Sequence, residues 1–121
     1  MSLFRKELGE KGEIAAKKEL EKRGFKLKEK NFLIRGGEID LIMEKDDKII
    51  FVEVKTRTDK SFGSPLESIT EAKKRHLIHT AQVYLHKHDL DDADVGFWAA
   101  AVFADKKNNI KKVEILEDIF V

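Results

Sequence analysis

Cysteine is absent from the 121 residues, and proline occurs only once. Without cysteine the chain cannot form disulfides or thiolate metal sites, which is compatible with a reducing compartment. The longest apolar stretch, residues 96–104, is far shorter than the ~20 residues of a membrane helix. The charged N-terminus also lacks the apolar core of a secretory signal. We therefore expect a cytoplasmic protein without a membrane segment.

Neither sign of charge dominates the sequence. The 24 basic and 23 acidic side chains leave a formal net charge of +1, so no overall field indicates a nucleic-acid partner. Apolar residues make up 41% and charged residues 39% of the chain, a balance typical of a compact and highly soluble protein. No internal repeat is visible, and the length predicts a single domain spanning residues 1–121.

Hydrophobic periodicity and turn residues predict the order helix, three strands, helix, two strands. Gly24 follows the first helix in the position that favours glycine, and Ser68 with Glu71 predicts a capping box for the second helix. The predicted elements are a helix over 3–23, strands over 25–34, 38–44 and 48–56, a helix ending near 87, and strands over 95–104 and 110–116. This order, αβββαββ, predicts an α/β fold with a mixed central sheet flanked by helices.

The second and third predicted strands each carry acidic residues at alternate positions, which is unusual for apolar strands. If they pair as a hairpin through a two-residue turn at Asp46-Asp47, Asp40 lies opposite Glu53, and Glu38 lies opposite Lys55. Asp-Asp is not the Asn-Gly or Asp-Gly pair that fixes such a turn, and a slip by one residue would remove these pairings. In the predicted register, four charged side chains share one face.

Opposed carboxylates on such a hairpin need a compensating charge. They lie roughly 5 Å apart in an antiparallel pair. At an effective dielectric constant of ~20 they repel by about 3 kcal/mol, a large share of the ~5 to 15 kcal/mol stability of a domain. Lys55 can offset this repulsion. A divalent cation between Asp40 and Glu53 can also do so, because carboxylate oxygens are ligands that Mg²⁺ prefers.

The alternative interpretation is a solvated strand face, with its charges in water and the opposite face in the core. That opposite face consists of Ile39, Leu41, Val52 and Val54. The charged face, however, continues into the apolar residues Ile42, Phe51 and Ile49. Both faces of the hairpin are therefore expected to be buried by other parts of the protein, and buried charges are normally paired or metal-bound. This pattern favours a functional carboxylate site.

The first helix carries a third candidate carboxylate, Glu13. Gly9 and Gly12 stand within one turn of the same helix, and two helix glycines indicate the close approach of another backbone. Glu13 shares the stripe of Gly9 and Ala16, so it is expected to face the sheet. The alternative is an ordinary i,i+4 partner for Lys17. The residues alone do not distinguish between these two interpretations.

The sequence resembles a known family at several ordered blocks. Asp40, followed by Glu53-Val54-Lys55, resembles the split acidic motif of the PD-(D/E)xK nuclease superfamily, with Ile39 in the place of the signature proline. More closely, five blocks between about residues 5 and 86 resemble the YraN-like family of uncharacterised, nuclease-fold proteins. They are Gly9-x-x-Gly12-Glu13-x-x-Ala16, Asn31-Phe32, Arg35 to Ile42, Phe51-Val52-Glu53-Val54-Lys55-x-Arg57, and Phe62 to Ile69.

This resemblance implies a restriction-endonuclease-like core and a relation to archaeal Holliday-junction resolvases. By position, Asp40 and Glu53 would bind Mg²⁺ or Mn²⁺, Glu13 would complete the acidic shell, and Lys55 would assist the attacking water or the transition state. Glu38 is assigned a supporting role. Basic residues expected to contact nucleic acid are Arg57, Lys73, Lys74 and Arg75, although a solvated helix face also explains the last three. Gly96-Phe97-Trp98 stands where the family would have Arg-Phe-Asp.

The expected function is therefore Mg²⁺-dependent hydrolysis of phosphodiester bonds in DNA, with branched or repair intermediates as substrates. A non-catalytic nucleic-acid or protein adaptor on the same fold is the first alternative. A structural salt-bridge network around Lys55 is the second. Two-fold pairing into a homodimer would suit an enzyme that cuts two strands, although no segment identifies an interface.

Overall fold

The structure is a computed structural model that describes residues 3–58 and 65–120. The family-like block beginning at Phe62 therefore lies partly outside the described residues. The elements are α1 (Leu3–Lys22), β1 (Lys26–Ile34), β2 (Gly37–Lys45), β3 (Lys48–Arg57), a 3₁₀ turn (Pro65–Ser68), α2 (Glu71–Lys87), β4 (Asp94–Ala104) and β5 (Ile110–Leu116). The predicted order αβββαββ is confirmed. Among the helices of these residues, none combines the length and apolar character needed to cross a bilayer.

The five strands form one mixed sheet in the order β1-β2-β3-β4-β5. The pairs β1–β2, β2–β3 and β4–β5 are antiparallel, whereas β3 and β4 run parallel. A parallel pair needs a crossover connection, and α2 lies within that connection. The crossover therefore places α2 on one face of the sheet, where it packs mainly against β2.

The helices cover opposite faces of the sheet. Ala16 and Leu20 of α1 are fully buried in one apolar cluster, and Leu77 and Tyr84 of α2 belong to a second cluster. Trp98 lies in the first cluster, with its ring in edge contact with that of Phe25 at a centroid distance of 5.2 Å. Trp98 is therefore a core residue.

The helix ends match the sequence prediction at α1 but not at α2. Gly24 has a φ of +95°, which glycine adopts without strain, and the Phe25 N–H donates to the Leu20 carbonyl at 3.1 Å. The capping box predicted at Ser68 is wrong, because Ser68 belongs to the 3₁₀ turn. Thr70 instead has an extended backbone, and its hydroxyl accepts the Lys73 N–H at 3.1 Å.

The β2–β3 hairpin has the predicted register. Leu41 pairs with Val52 and Lys45 with Lys48. The turn residues Asp46-Asp47 have φ angles of 50° and 65°. A two-residue hairpin turn of the I′ type needs positive φ at both positions, and aspartate tolerates this conformation better than most residues. The Asp-Asp pair therefore replaces the expected Asn-Gly signal.

The hairpin ladder begins at the Leu41–Val52 pair, and the predicted pairs with Asp40 and Glu38 do not belong to it. Glu38 pairs instead with Leu33 of β1. Asp40 is paired in neither ladder of β2, and its Oδ2 accepts the Val54 N–H of β3 at 2.7 Å.

The alternation of faces along β2 also breaks at Asp40. Leu41 packs in the cluster under α1, whereas Ile39 packs in the cluster under α2. The prediction that Ile39 and Leu41 share one face is therefore wrong. Opposite this break, Asn31 of β1 has a φ of 51° and no ladder partner in β2. The two irregular residues together let β2 rotate where it leaves β3.

Candidate functional site

A cavity of about 420 Å³ opens on the α2 side of the sheet, where β2 leaves β3. Its walls come from the turn before β2, from β2 and β3, and from the first turns of α2. The lining residues are Gly36, Gly37, Glu38, Asp40, Glu53, Thr70, Ala72, Lys73, His76 and Leu77. Two of the predicted metal ligands, Asp40 and Glu53, therefore line one cavity, together with Lys73 from a distant part of the sequence.

Asp40 is held by the backbone in a mostly buried position. Burial and the charge of Glu53 raise the pKa of the Asp40 carboxyl to about 7, while the hydrogen bond from the Val54 N–H opposes this rise. Glu13 and Glu38 add smaller effects in the same upward direction. In the absence of a cation, Asp40 is therefore close to half-protonated at neutral pH.

Glu53 is buried, with 8% of its surface exposed, and two lysines compensate its charge. Lys73 Nζ lies 2.9 Å from Glu53 Oε1, and Lys55 Nζ lies 3.4 Å from the same oxygen. Burial lowers the pKa of Lys55, and the neighbouring Lys73 lowers it further. The pKa of Lys73 is raised although burial opposes this, because its interactions with Lys55 and Glu53 outweigh burial. Lys73 therefore keeps its proton more strongly than Lys55 does.

Glu13 lines a different cavity, of about 540 Å³, on the α1 side of β3. Burial raises the pKa of Glu13, a hydrogen bond with the Asn31 side chain opposes the rise, and the charge of Glu38 supports it. Glu13 is half-buried on the stripe of α1 that faces the sheet, as predicted. The charge of Glu13 contributes to the raised pKa of Asp40, but Glu13 is not among the residues that line the cavity of Asp40 and Glu53.

Of the remaining predicted site residues, two line one of these cavities and two line neither. Glu38 is exposed and lines the cavity of Asp40, whereas Arg57 lines the cavity of Glu13. Lys74 lies outside both sets of lining residues, with its Nζ 5.3 Å from the centre of the Phe120 ring. Arg75 is exposed and also lines neither cavity. Contact of these basic residues with nucleic acid stays a prediction.

Several lining residues were not predicted from the sequence. Gly36 and Gly37 directly precede Glu38, and His76 stands three positions after Lys73, on the same face of α2. These spacings are signals that could have identified them once Lys73 was placed at the site. The Val54 N–H that holds Asp40 is a backbone group, and no residue pattern marks it.

Two carboxylates of this cavity, Asp40 and Glu53, could hold a hard divalent cation. No group of three or more His, Cys, Asp or Glu side chains that could hold a metal occurs within residues 3–58 and 65–120. Mg²⁺, however, usually retains several waters and is bound by one or two carboxylates. Asp40 and Glu53 are two such carboxylates, and burial and the charge of Glu53 both raise the pKa of Asp40. Lys73 would compete with the cation for Glu53.

Comparison with known proteins gives a consistent family match. The model of the uncharacterised protein family UPF0102 matches residues 12–113. A UPF0102 protein of Clostridium perfringens is 38% identical over 120 residues, covering 99% of this chain and 98% of the relative. Another, of Caldicellulosiruptor saccharolyticus, is 34% identical over 116 residues, covering 96% and 98%. A third, of Carboxydothermus hydrogenoformans, is 43% identical over 86 residues, covering 71% and 73%.

Proposed function

The chain belongs to the uncharacterised protein family UPF0102, and we propose that it is a metal-dependent endonuclease that hydrolyses phosphodiester bonds in DNA. One observation carries the proposal: Asp40 and the buried Glu53 line the same cavity, with Lys73 beside them. The proposal includes placement in the PD-(D/E)xK nuclease superfamily with a restriction-endonuclease-like core, as a YraN-like protein acting on branched or repair intermediates.

The carboxylates and lysines have separate tasks in this proposal. Asp40 and Glu53 would hold Mg²⁺ or Mn²⁺, which when bound lowers the pKa of its water and polarises the phosphoryl oxygens. The Val54 N–H fixes Asp40 Oδ2 at 2.7 Å, so this ligand is oriented before any cation arrives. The role of Glu13 as a third ligand stays a prediction, because Glu13 lines the neighbouring cavity.

Lys55 and Lys73 supply positive charge beside the reacting phosphate. During hydrolysis a water oxygen bonds to phosphorus and releases a proton to solvent while the bond to the leaving oxygen breaks, and negative charge develops on the phosphoryl oxygens. Both ammonium groups lie within 3.4 Å of Glu53 Oε1 and are partly withdrawn from water, where fixed charges stabilise a transition state more strongly than in bulk solvent. The lowered pKa of Lys55 also suits it to transfer a proton to the leaving oxygen.

The direct test is cleavage of branched, single-stranded and duplex DNA with Mg²⁺ or Mn²⁺. Asp40→Ala and Lys55→Ala should each reduce the rate by roughly 10²- to 10⁴-fold. Asp92→Ala, at an exposed aspartate far along the chain, is the matched control and should retain the wild-type rate. Equal cleavage by the wild type and both site variants would overturn the proposal.

A non-catalytic adaptor is the second candidate, and the position of Lys73 favours it. Its ammonium already neutralises Glu53 at 2.9 Å, so the site can persist without a cation, as in a structural salt-bridge network. An adaptor should bind DNA equally well in EDTA and in Mg²⁺, and Asp40→Ala should leave its affinity unchanged or raised. Loss of DNA binding in EDTA would exclude this candidate.

A further inference from the structure

Gly9 is a helix residue whose presence is not explained by packing against the described part of the chain. A glycine inside a helix is less stable than an alanine, and a close neighbour usually accounts for it. At Gly12 that neighbour exists, because an added Cβ would collide with the side chain of Thr56. At Gly9, among residues 3–58 and 65–120, an added Cβ would meet no atom beyond its chain neighbours and the backbone of its own helix within 4 Å. What Gly9 does have is a place in the wall of the cavity of about 540 Å³.

The walls of this cavity combine three kinds of chemistry. Arg5 and Arg57 are lining residues, and arginine guanidinium groups bind phosphate oxygens through paired N–H donors. Leu8 and Val54 contribute apolar surface. Glu13 contributes a carboxylate, which can accept hydrogen bonds from the amino group of a base. A phosphate ion would use only the arginines and would be repelled by Glu13, whereas a nucleotide can use all three.

The cavity also adjoins the proposed reaction site. Val54 and Thr56 line it from the α1 side of β3, whereas Glu53 of the same strand lines the other cavity on the α2 side. A DNA strand whose phosphate reaches the carboxylates could therefore place one nucleotide on the far side of β3. Paired bases in a duplex are stacked and unable to enter such a cavity without being flipped out.

We propose that this cavity binds a single unpaired nucleotide of a DNA strand, with Gly9 keeping the space open for the base. Arg5 and Arg57 bind the phosphate, Leu8 and Val54 contact the base, and Glu13 accepts hydrogen bonds from its edge. The inference deepens the proposed nuclease function by specifying single-stranded or branched DNA, and it rests on that function for the class of ligand. It requires neither a metal nor cleavage.

The experiment compares wild type, Gly9→Ala and Gly9→Leu in EDTA, using one labelled oligonucleotide as a single strand and as a blunt duplex. Gly9→Ala and Gly9→Leu both remove the helix glycine, but only leucine fills the cavity. We expect wild type and Gly9→Ala to bind the single strand equally and more tightly than the duplex. Gly9→Leu should bind the single strand about 10-fold or more weakly, with unchanged duplex binding and with stability no lower than that of wild type.

Three results would overturn the inference. They are wild-type binding without preference for the single strand, an unchanged single-strand affinity in Gly9→Leu, and an equal loss of affinity for single strand and duplex. In a competition experiment, deoxyadenosine monophosphate should displace the single strand more effectively than inorganic phosphate does. Equal displacement would mean that the site binds phosphate alone and would also overturn the inference. If no DNA is cleaved but the leucine variant alone loses single-strand binding, the nuclease proposal fails and the nucleotide cavity stands.

Discussion

Replacing Asp40 with asparagine should make the protein more stable at neutral pH, and the gain should depend on pH in a defined way. Burial and Glu53 raise the pKa of Asp40 from 3.8 to about 7, so the folded state holds the proton more tightly than the unfolded chain does. The stabilisation by protonated Asp40 is complete below the unfolded pKa and is lost as pH rises through the folded pKa. At 1.36 kcal/mol per pKa unit, the loss is about 4 kcal/mol.

The assay is chemical denaturation in EDTA at a series of pH values between about 4 and 8, followed by the fluorescence of the single tryptophan, Trp98. The free energy of unfolding of wild type minus that of Asp40→Asn should fall by roughly 1.4 kcal/mol per pH unit until about pH 7 and then level off. The asparagine carboxamide can still accept the Val54 N–H, so the hydrogen bond is retained. Asp92→Asn, at an exposed position, is the control and should show no such trend. Parallel curves for wild type and Asp40→Asn would refute the electrostatic reasoning.

Three further predictions follow from other parts of the structure. Mg²⁺ or Mn²⁺ at 100 times its dissociation constant should raise the free energy of unfolding of wild type by about 2.7 kcal/mol but should not stabilise Glu53→Gln. An unchanged melting temperature of wild type on addition of the cation would argue against cation binding. Lys73→Met removes the contact of 2.9 Å with Glu53 and should lower the free energy of unfolding by about 1 kcal/mol, a modest value because Lys73 is one-third exposed. Lys106→Met, at an exposed turn residue, is the control and should change stability by less than about 0.5 kcal/mol. Equal effects of the two substitutions would contradict the pairing of Lys73 with Glu53. Gly9→Ala should stabilise by up to about 1 kcal/mol, and Gly12→Ala should destabilise because its Cβ would collide with a side chain of β3; denaturation curves that shift in the same direction would contradict this contrast.

Much of the fold could be predicted because it depends on local patterns. Alternating apolar residues defined the strands, and the two-residue turn at Asp46-Asp47 fixed the hairpin register, so Leu41 and Val52 pair as expected. The hairpin turn itself needs only two adjacent residues that tolerate positive φ. These features require only interactions between near neighbours in the sequence, which the residue types report directly.

The site was predicted less completely, because its geometry depends on contacts between distant residues. The ladder ends before Asp40, whose carboxylate binds the Val54 N–H, fourteen positions away. Lys73 reaches Glu53 only because the crossover brings α2 onto the sheet. Ser68 was a plausible cap by spacing, but the chain forms a 3₁₀ turn there and Thr70 takes the role. Such outcomes follow from tertiary packing, which a single sequence does not display.

The early end of the β2–β3 ladder has a consequence for solubility. Within the described residues, the last part of β3, from Glu53 to Arg57, pairs with β4 alone, although β3 is the middle strand of the sheet. In this stretch the Val54 N–H is held by Asp40, but β2 forms no ladder with it, and unpaired strand edges can pair with strands of other molecules. Charged side chains, lysine above all, discourage that pairing, so we expect Lys55 and Arg57 to oppose such association. Variants that neutralise them will need their state of association measured before a loss of activity is attributed to chemistry.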